Sequence, residues 1–381
     1  MPPIHLLIKP SSLECNMRCS YCFSFDIADN RSNASYGFMK SDTLEIIIKN
    51  ALIEAEYQCT FAFQGGEPTM VGLSFYESVI EYANRYNTKR IKVNYAIQTN
   101  GYEIDREWAA FFAKHEFLVG LSLDGNKQIH DLYRSDRAGK GTYSKVMQTV
   151  QLFNHYGVSY NILTVITAQT AKKIGQIYGF FTRNNFLYQQ YIPCHDPLDE
   201  KRGRHSYSLT PDLYEDFLCT LFDLWYNDFI RGKKISIRYF DNLIQMMMGY
   251  PPESCTMMGY CTRQIVVEAD GSVYPCDFYV LDEYRLGNLK SDSFSQIEET
   301  RDRIRFIEPS LQRAHECREC KWHSLCRGGC RRDCEPYGKE QVLHNYYCSA
   351  YKKFFEYSIE RMRKIVYDLK KNAFPTSPFL R

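Results

Sequence analysis

Three cysteines near the start of the sequence have a spacing that suits metal chemistry. Cys15, Cys19 and Cys22 form a C-x3-C-x2-C pattern. Three thiolates on one short loop can hold three irons of a cubane iron–sulfur cluster and leave the fourth iron without a protein ligand. An iron left open in this way can bind a substrate, as the open position of a catalytic zinc does. The pattern predicts an iron–sulfur site, with a zinc site or incidental thiols as the alternatives.

A second group of cysteines lies in the last third of the chain. Nine of the fifteen cysteines fall between Cys255 and Cys348, most densely in CRECKWHSLCRGGC. The candidate metal ligands among them are Cys255, Cys261, Cys276, Cys317, Cys320, Cys326, Cys330 and Cys348. Eight thiolates can complete two four-iron clusters or two four-cysteine zinc sites, and composition does not separate these possibilities.

Four cysteines have no predicted metal: Cys59, Cys194, Cys219 and Cys334. Cys59 and Cys219 lie in apolar strand or helix contexts, where a free cysteine packs as a small hydrophobic residue. Cys194 ends a predicted strand, and Cys334 lies close to Cys330 in the sequence. We assign no task to any of the four.

Composition limits the partners of this chain. The 47 basic and 45 acidic residues give a net charge of +2, which lacks the basic footprint of nucleic-acid-binding proteins. No window approaches the roughly 18 uninterrupted apolar residues of a membrane-spanning helix, and the N-terminus lacks a secretory cleavage site. These features predict a cytoplasmic protein with no nucleic-acid or membrane partner. Because disulfides do not persist in a reducing cytoplasm, the cysteines favour metal binding.

Six apolar or alternating runs predict strands, and the amphipathic stretches between them predict helices. The runs are IHLLIK, TFAFQ, IKVNYAIQ, FLVGLSL, VSYNILTVI and YQQYIP. Alternating strands and helices indicate a parallel sheet. Because ligands bind at the carboxyl ends of such strands, we expect the site to be built from KPSSLEC, GGEPT, TNG, DGN, TAQT and CHDP.

The second half of the chain predicts fewer and different elements. A charged loop, DPLDEKRGRHSYS, precedes a predicted helix, TPDLYEDFLCTLFDLWYNDFIRG. VVEADGSVYP predicts a β-hairpin, because Asp270-Gly271 is a strong turn pair. YKKFFEYSIERMRKIVYDLKK predicts an amphipathic C-terminal helix. We therefore expect a small metal-stapled domain around the later cysteines.

The cysteine loop after the first strand, with Tyr21 beside its third cysteine, resembles the radical S-adenosylmethionine (radical SAM) superfamily. A Gly-Gly-Glu-Pro segment, residues 65–68, follows the second strand, where that superfamily carries its methionine-binding motif. The C-x2-C-x5-C-x3-C spacing of the later cysteines resembles the SPASM domain, which holds auxiliary clusters. The resemblance implies an α/β fold: a partial (β/α)6 barrel of the radical SAM type with bridging helices over residues 1–235, and a small cysteine-rich SPASM domain with a β-hairpin and a C-terminal helix over 236–381.

The same resemblance implies three [4Fe-4S] clusters and S-adenosylmethionine as cofactors. The family pattern assigns one cluster to Cys15, Cys19 and Cys22, one to Cys255, Cys261, Cys276 and Cys330, and one to Cys317, Cys320, Cys326 and Cys348. It assigns S-adenosylmethionine binding to Tyr21, Gly66, Ser122, Arg134 and His195. His195 departs from the family, which has an apolar residue there.

A closer resemblance covers nearly the whole chain, from about residue 2 to beyond Cys348. The segments IKPSSLECNMRCSYC, FAFQGGEPT, FLVGLSLDG, SIRYFD, VEADGSVYPCDFYVLD and KWHSLCRGGCRRDC are similar to those of the anaerobic sulfatase-maturating enzymes. This implies oxidation of one cysteine or serine of an unfolded sulfatase polypeptide to Cα-formylglycine. A 5′-deoxyadenosyl radical would remove a Cβ hydrogen, a base would remove a proton, and an auxiliary cluster would accept an electron. A low-potential donor such as flavodoxin or ferredoxin would supply electrons.

Three further residues are candidates for work on the substrate. Asp277 directly follows Cys276 and matches the family's catalytic aspartate, so we assign it the role of base. Gln64 and Gln98 end the second and third predicted strands, where they can hydrogen-bond a peptide backbone. Ser24 stands where the family has an aromatic residue.

Two other functions compete with this one. Another SPASM-type peptide maturase, for example one that cross-links a precursor peptide, would share every cluster ligand. Such enzymes often carry an N-terminal peptide-recognition domain, whereas here the first strand begins near residue 5, so we expect the sulfatase function. A zinc-bearing binding protein without catalysis would be colourless, whereas three clusters would give a brown protein with about twelve irons.

Overall fold

The computed structural model describes residues 3–198, 200–335 and 344–371. Within these ranges the strands are β1 (Ile4–Ile8), β2 (Gln58–Phe63), β3 (Lys92–Thr99), β4 (Leu118–Ser122), β5 (Ser159–Ile166), β6 (Tyr188–Pro193), β7 (Ser236–Ile237), β8 (Ile265–Val267), β9 (Ser272–Tyr274) and β10 (Gly287–Asn288). The helices are α1 (Phe23–Asp29), α2 (Ser41–Glu54), α3 (Leu73–Tyr86), α4 (Arg106–Lys114), α5 (Lys127–His130), α6 (Tyr143–Tyr156), α7 (Ala168–Lys172), α8 (Ile174–Arg183), α9 (Pro211–Ile230), α10 (Arg238–Met247), α11 (Phe294–Arg303), α12 (Glu308–Leu311), α13 (His315–Arg318), α14 (His323–Cys326), α15 (Arg331–Cys334) and α16 (Cys348–Lys371). Each of the six predicted strands is present.

The chain forms two compact units that alternate along the sequence. Unit 1 comprises the residues up to Leu123, His130–Tyr160 and Arg263–Phe306. Unit 2 comprises Asp124–Ile129, Asn161–Thr262 and the residues from Ile307 onward. The domain boundary between residues 235 and 236 stays a prediction.

In unit 1 the strands lie side by side in the order β10-β9-β8-β1-β2-β3-β4. From β8 to β4 neighbouring strands are parallel, as the alternation of strands and helices predicts. Ile8 of β1 is level with Phe63 of β2 on one side and with Val267 of β8 on the other. The residues that follow these three strands therefore leave the sheet at the same edge.

The predicted hairpin is formed by β8 and β9, which pair antiparallel with Val267 opposite Val273. Gly271 has φ +90° in the turn, a conformation that glycine adopts without steric cost. The Asp270 carboxylate accepts hydrogen bonds from the backbone nitrogen of Ser272 at 2.9 Å and from its hydroxyl at 2.7 Å. β8 also pairs in parallel with β1, which the local pattern does not indicate. The hairpin thereby adds Asp277, three residues after β9, to the edge of this sheet.

Aromatic side chains fill the core of unit 1 behind β2. Phe63, Tyr76, Trp108 and Phe117 are buried and come from a strand, two helices and the residue before β4. The ring centres of Phe63 and Tyr76 are 5.0 Å apart, and those of Tyr76 and Trp108 are 5.3 Å apart, both edge to face. Such pairs add about 0.5–1.5 kcal/mol each beyond the burial of their area. The helices are thus fixed against the strand that leads into the Gly-Gly-Glu-Pro segment.

Unit 2 contains the parallel strands β5, β6 and β7 and the packed helices α9 and α16. Helix α9 begins after Thr210, whose hydroxyl accepts a hydrogen bond from the Leu213 nitrogen at 3.4 Å, and Pro211 occupies its first position, as is typical of helix starts. Phe222 of α9 packs edge to face on Phe354 of α16 at 5.9 Å. Both helices were predicted from the sequence. No helix in the described ranges is both long and apolar enough to cross a membrane.

Candidate active site

The predicted cluster loop follows β1 in unit 1, and its first cysteine is largely buried. Burial, followed by the nearby Glu67 carboxylate, raises the pKa of the Cys15 thiol to about 12. Cys19 and Cys22 are close enough to raise this pKa further. A thiol in this environment becomes a thiolate when a bound cation compensates its charge, and metal ligation provides that cation. The three cysteines therefore fit an iron site.

Two predicted cofactor residues meet beside the cluster loop. The backbone nitrogens of Arg18 and Ser20 donate to the carbonyls of Ser135 and Tyr133 at 2.8 and 3.1 Å. This pairing places the Arg134 guanidinium 5.4 Å from the centre of the Tyr21 ring. Arg134 is buried, although its polar sequence context is typical of a surface arginine. Its guanidinium, which can bind a carboxylate through two hydrogen bonds, is thus held in the site.

The Gly-Gly-Glu-Pro segment passes too close to its neighbours for any side chain on its glycines. Gly65 and Gly66 have φ of +103° and +53°. A Cβ on Gly66 would lie 2.2 Å from the carbonyl oxygen of Glu14, and a Cβ on Gly65 would lie 2.6 Å from Cε of Lys9. The segment forms a tight cradle against the start of the cluster loop, which suits the predicted contact of Gly66 with S-adenosylmethionine.

Glu67 is a buried residue that sequence reasoning did not identify. One of its carboxylate oxygens accepts hydrogen bonds from the nitrogen and hydroxyl of Thr69 at 3.1 and 2.7 Å and from the Thr99 hydroxyl at 2.7 Å. The other accepts from the Asn100 nitrogen at 2.7 Å. Glu67 thereby ties the end of β2 to the end of β3. A glutamate inside a glycine-proline turn is the sequence signal that could have indicated this role.

Ser122, predicted to bind the cofactor, and Gln98, predicted to bind the substrate, lie next to each other. They sit near the ends of the parallel strands β4 and β3, and the Gln98 amide donates to the Ser122 hydroxyl at 3.1 Å. Ser122 is buried and Gln98 is partly exposed. The strand ends therefore bring these two residues together, and their ligands stay predictions.

Asp277 lies in a group of charged residues at the edge of the same sheet. The Lys9 ammonium is 3.1 Å from Oδ1 of Asp277, and the Gln64 amide donates to Oδ2 at 2.7 Å. Lys9 is also 3.9 Å from Glu268, which pairs with Arg31 at 2.8 Å. Burial lowers the pKa of Lys9, but the carboxylates of Asp277 and Glu268 outweigh it, and the net pKa is raised. Lys9, Glu268 and Arg31 were not identified from the sequence.

His195 belongs to unit 2, where it is buried among charged residues. Its Nδ1 atom is 3.6 Å from an Asp333 carboxylate oxygen. Burial, followed by the charges of Arg332 and Arg202, lowers the pKa of His195 well below its ordinary value. The ring is therefore neutral, and its contact with S-adenosylmethionine stays a prediction.

Four of the later cysteines line one cavity of unit 2. Cys317, Cys320, Cys326 and Cys348 surround it together with Trp322, Tyr351 and Phe355. Burial raises the pKa of the Cys326 thiol to about 11; a hydrogen bond from the Gly328 backbone opposes this shift, and the charges of the other three cysteines add to it. The predicted four-cysteine set thus shares one space. No three His, Cys, Asp or Glu side chains of the described residues are grouped as ligands of a single metal ion.

The other predicted set, Cys255, Cys261, Cys276 and Cys330, contains residues from both units. In unit 2, burial raises the pKa of Cys261, and the nearby Cys255 raises it further. Cys276 follows β9 in unit 1 and directly precedes Asp277. The grouping of these four stays a prediction. Cys59, Cys194 and Cys334 are buried and Cys219 is half-buried.

Models of two protein families match this chain. The model of the radical SAM superfamily matches residues 10–181. The model of an iron-sulfur cluster-binding domain, SPASM, matches residues 255–321. These matches confirm the predicted α/β fold class and the predicted cofactors, [4Fe-4S] clusters and S-adenosylmethionine, and they exclude the zinc-binding alternative.

Several known proteins are similar to this chain over almost its full length. A cysteine-type anaerobic sulfatase-maturating enzyme of Clostridium novyi (strain NT) is 49% identical over 95% of this chain and 97% of its own length. One of Clostridium perfringens (strain 13 / Type A) is 47% identical over 97% of this chain and 100% of its own. The solved structure of native anSMEcpe with bound AdoMet and Cp18Cys peptide has a TM-score of 0.93 and 46% identity, and covers 97% of this chain and 100% of its own. The chain belongs to the anaerobic sulfatase-maturating enzymes, a family of radical SAM enzymes.

Proposed function

We propose that this enzyme oxidises a cysteine of an unfolded sulfatase polypeptide to Cα-formylglycine. The cysteine side chain loses a hydrogen atom from Cβ, a proton from sulfur and one further electron, which leaves a carbon–sulfur double bond. Water then replaces the sulfur, so that the products are the aldehyde and hydrogen sulfide. Cysteine is proposed over serine because both Clostridium relatives are of the cysteine type.

The residues of this chain would hold two kinds of cofactor site: one for the first cluster with S-adenosylmethionine, and one for each auxiliary cluster. Cys15, Cys19 and Cys22 would bind the first cluster, and S-adenosylmethionine would contact Tyr21, Gly66, Ser122, Arg134 and His195. The auxiliary clusters would bind to the two predicted four-cysteine sets. When bound, these groups supply the removal of a hydrogen atom from Cβ and a place for the remaining electron.

Asp277 would accept the proton from the substrate sulfur. The observation that carries this proposal is the position of Asp277. It directly follows the predicted ligand Cys276 and lies at the carboxyl edge of β8, β1 and β2. Ligand sites of parallel sheets lie at this edge. Lys9 and Gln64 hold its two oxygens, so the carboxylate has a fixed orientation. A base must lie within hydrogen-bond reach of the proton that it removes, and a fixed carboxylate satisfies this requirement for one substrate pose.

Gln64 and Gln98 would hydrogen-bond the substrate backbone next to this base. Both amides lie at strand ends in unit 1 and are partly exposed. Each is bonded to a proposed functional residue, Gln64 to Asp277 and Gln98 to Ser122. An unfolded peptide would thus be held beside the proton acceptor and the cofactor.

The electrons would come from a low-potential one-electron carrier such as flavodoxin or ferredoxin, and the reaction would take place in the cytoplasm. The fifteen cysteines of the sequence support this location, because a reducing compartment keeps cysteines available to bind iron.

The test of this function is an anaerobic reaction of the cluster-loaded enzyme with a peptide containing Cys-x-Pro-x-Arg, followed by mass analysis. We expect an aldehyde at the cysteine in the wild-type reaction. Asp277→Asn should still form 5′-deoxyadenosine but little aldehyde, since an amide does not accept the proton. Asp282→Asn, which removes a nearby carboxylate that binds the Ser32 nitrogen, is the matched control and should react normally. If the wild-type enzyme cleaves S-adenosylmethionine but leaves the peptide unchanged, the proposed function is refuted. If Asp277→Asn forms a normal amount of aldehyde, the proposed role of Asp277 as the base is refuted.

A further inference from the structure

Three charged or polar residues leave adjacent strands of unit 1 at the same level. Lys9 follows β1, Gln64 follows β2 and Glu268 follows β8, and these strands are parallel neighbours in register. Backbone hydrogen bonds continue the pairing past the strands, from Lys9 to Val267 at 2.8 Å and from Gln64 to Ile8 at 2.9 Å. The three side chains are therefore positioned by the sheet itself. Lys9 and Gln64 both donate to the carboxylate of Asp277, and Glu268 lies 3.9 Å from the Lys9 ammonium.

Lys9 is fully buried, including its ammonium group. A buried ammonium is strongly unfavourable unless carboxylates compensate it. Two carboxylates are available, Asp277 at 3.1 Å and Glu268 at 3.9 Å. Glu268 is bound more closely by the Arg31 guanidinium, at 2.8 Å, and Arg31 also donates to the Ser12 hydroxyl at 3.3 Å. Glu268 therefore forms its closer ion pair with Arg31, and Asp277 is the nearer carboxylate to Lys9.

The aliphatic part of Lys9 is held by the Gly-Gly-Glu-Pro segment. A Cβ on Gly65 would lie 2.6, 2.9 and 3.0 Å from Cε, Cγ and Cβ of Lys9. Because residue 65 has no side chain, the Lys9 side chain can pack directly against the backbone of this turn. The same segment that approaches the cluster loop also fixes the direction in which Lys9 reaches Asp277.

The second oxygen of Asp277 is held by Gln64, which follows the neighbouring strand β2. Gln64 donates to Oδ2 at 2.7 Å while Lys9 donates to Oδ1 at 3.1 Å. Two donors on the two oxygens fix both the position and the plane of the carboxylate. An ammonium has no lone pair, so Lys9 cannot itself accept the substrate proton.

We propose that Lys9 is a positioning residue that acts through Asp277, holding its carboxylate in the orientation that removes the substrate proton. This inference rests on the proposed function. Lys9 contacts the base and has no proposed contact with the peptide, so its loss should reduce turnover and leave peptide binding unchanged. Misplacement of a catalytic group by about 1 Å can cost on the order of 100-fold in rate.

The experiment compares four cluster-loaded enzymes: wild type, Lys9→Met, Asp277→Asn and the double variant. Methionine matches the length of the lysine stem without its charge. For each enzyme we would measure iron content, 5′-deoxyadenosine formed per aldehyde formed, and kcat and KM for the cysteine peptide. Lys92→Met is the matched control. It makes the same substitution at an exposed lysine at the start of β3, the end of the strand away from Gln98.

We expect Lys9→Met to retain iron and cofactor cleavage, to lose about 10–100-fold in aldehyde formation and to keep its KM. The double variant should equal Asp277→Asn, because a residue that acts only through Asp277 has nothing left to position. Normal aldehyde formation by Lys9→Met would overturn the inference. A further loss in the double variant beyond Asp277→Asn would also overturn it.

The design separates this inference from the function on which it rests. If Asp277→Asn makes aldehyde normally, the proposed base is wrong and the role of Lys9 falls with it. If Asp277→Asn is impaired while Lys9→Met is normal, the base stands and only the role of Lys9 is refuted. Should Lys9→Met lose its iron, Lys9→Leu, which also has no hydrogen-bond donor, replaces it in the same comparison. A wild-type aldehyde yield from Lys9→Leu would overturn the inference.

Discussion

Gly66, a proposed contact of S-adenosylmethionine, lies where no side chain fits. Any Cβ at this position would collide with the carbonyl oxygen of Glu14 at 2.2 Å, and backbone atoms cannot move aside as a flexible side chain can. We expect Gly66→Ala to abolish S-adenosylmethionine binding while the clusters remain. Equilibrium binding of S-adenosylmethionine, measured together with iron content, tests this.

Gly37→Ala is the matched control for that change. Gly37 has φ +67°, close to the +53° of Gly66, but no atom lies within 4 Å of a Cβ at Gly37. Both alanines therefore carry similar backbone strain, and only one collides. Equal loss of binding in the two variants would show that strain, and not the close approach to Glu14, explains the effect.

Spacing predicts the cysteine triad as a metal site, and the family resemblance adds Gly66 and Asp277. The cysteine triad, Gly66 and Asp277 all belong to local motifs. Lys9 and Glu268 were missed, because isolated charged residues are usually exposed and no local pattern indicates that these two are buried. Their burial follows from the pairing of β8, β1 and β2, which the sequence does not specify residue by residue.

At the scale of elements, the six strands were predicted close to their observed bounds because their apolar runs are long and bounded by polar turns. The partner of β8 was not predicted. Its three residues, Ile265–Val267, pair with β1, more than 250 positions away in the sequence, and a local apolar run carries no information about so distant a partner. The position of Asp277 at the sheet edge therefore required the structure.

Helix α10 contains a buried carboxylate that should make stability depend on pH. Burial, the largest cause, raises the pKa of Asp241 from 3.8 to about 7. The folded state then holds a proton that the unfolded chain releases, so stability falls as pH rises from about 4 to about 7, by up to about 4 kcal/mol. Asp241→Asn should remove this decline. Urea unfolding of both proteins under anaerobic conditions at about pH 5 and about pH 8 measures it.

The control is Asp216→Asn, which removes an exposed carboxylate of α9. This variant should show the same decline between the two pH values as wild type. An Asp241→Asn protein with an undiminished decline would contradict the assignment of the effect to Asp241.

Of the fifteen cysteines of the whole molecule, eleven are predicted cluster ligands and four are not. Cys326 and Cys334 offer a matched comparison, since burial raises the pKa of each thiol, to about 11 and about 12 respectively. Only Cys326 lines the four-cysteine cavity. We expect Cys326→Ser to lower the iron content from about twelve to about eight per chain, and Cys334→Ser to leave it unchanged. Equal iron in the two variants would contradict the predicted division.

The central claim is that this enzyme converts a peptide cysteine by removing a hydrogen atom from its Cβ. The most direct measurement uses a peptide whose cysteine carries deuterium at both Cβ positions, in an anaerobic reaction with the complete enzyme. Mass analysis of the 5′-deoxyadenosine formed would then report where the hydrogen atom went. We predict deuterium in 5′-deoxyadenosine, in an amount that rises in proportion to the aldehyde formed. Aldehyde formation without transfer of deuterium would contradict it.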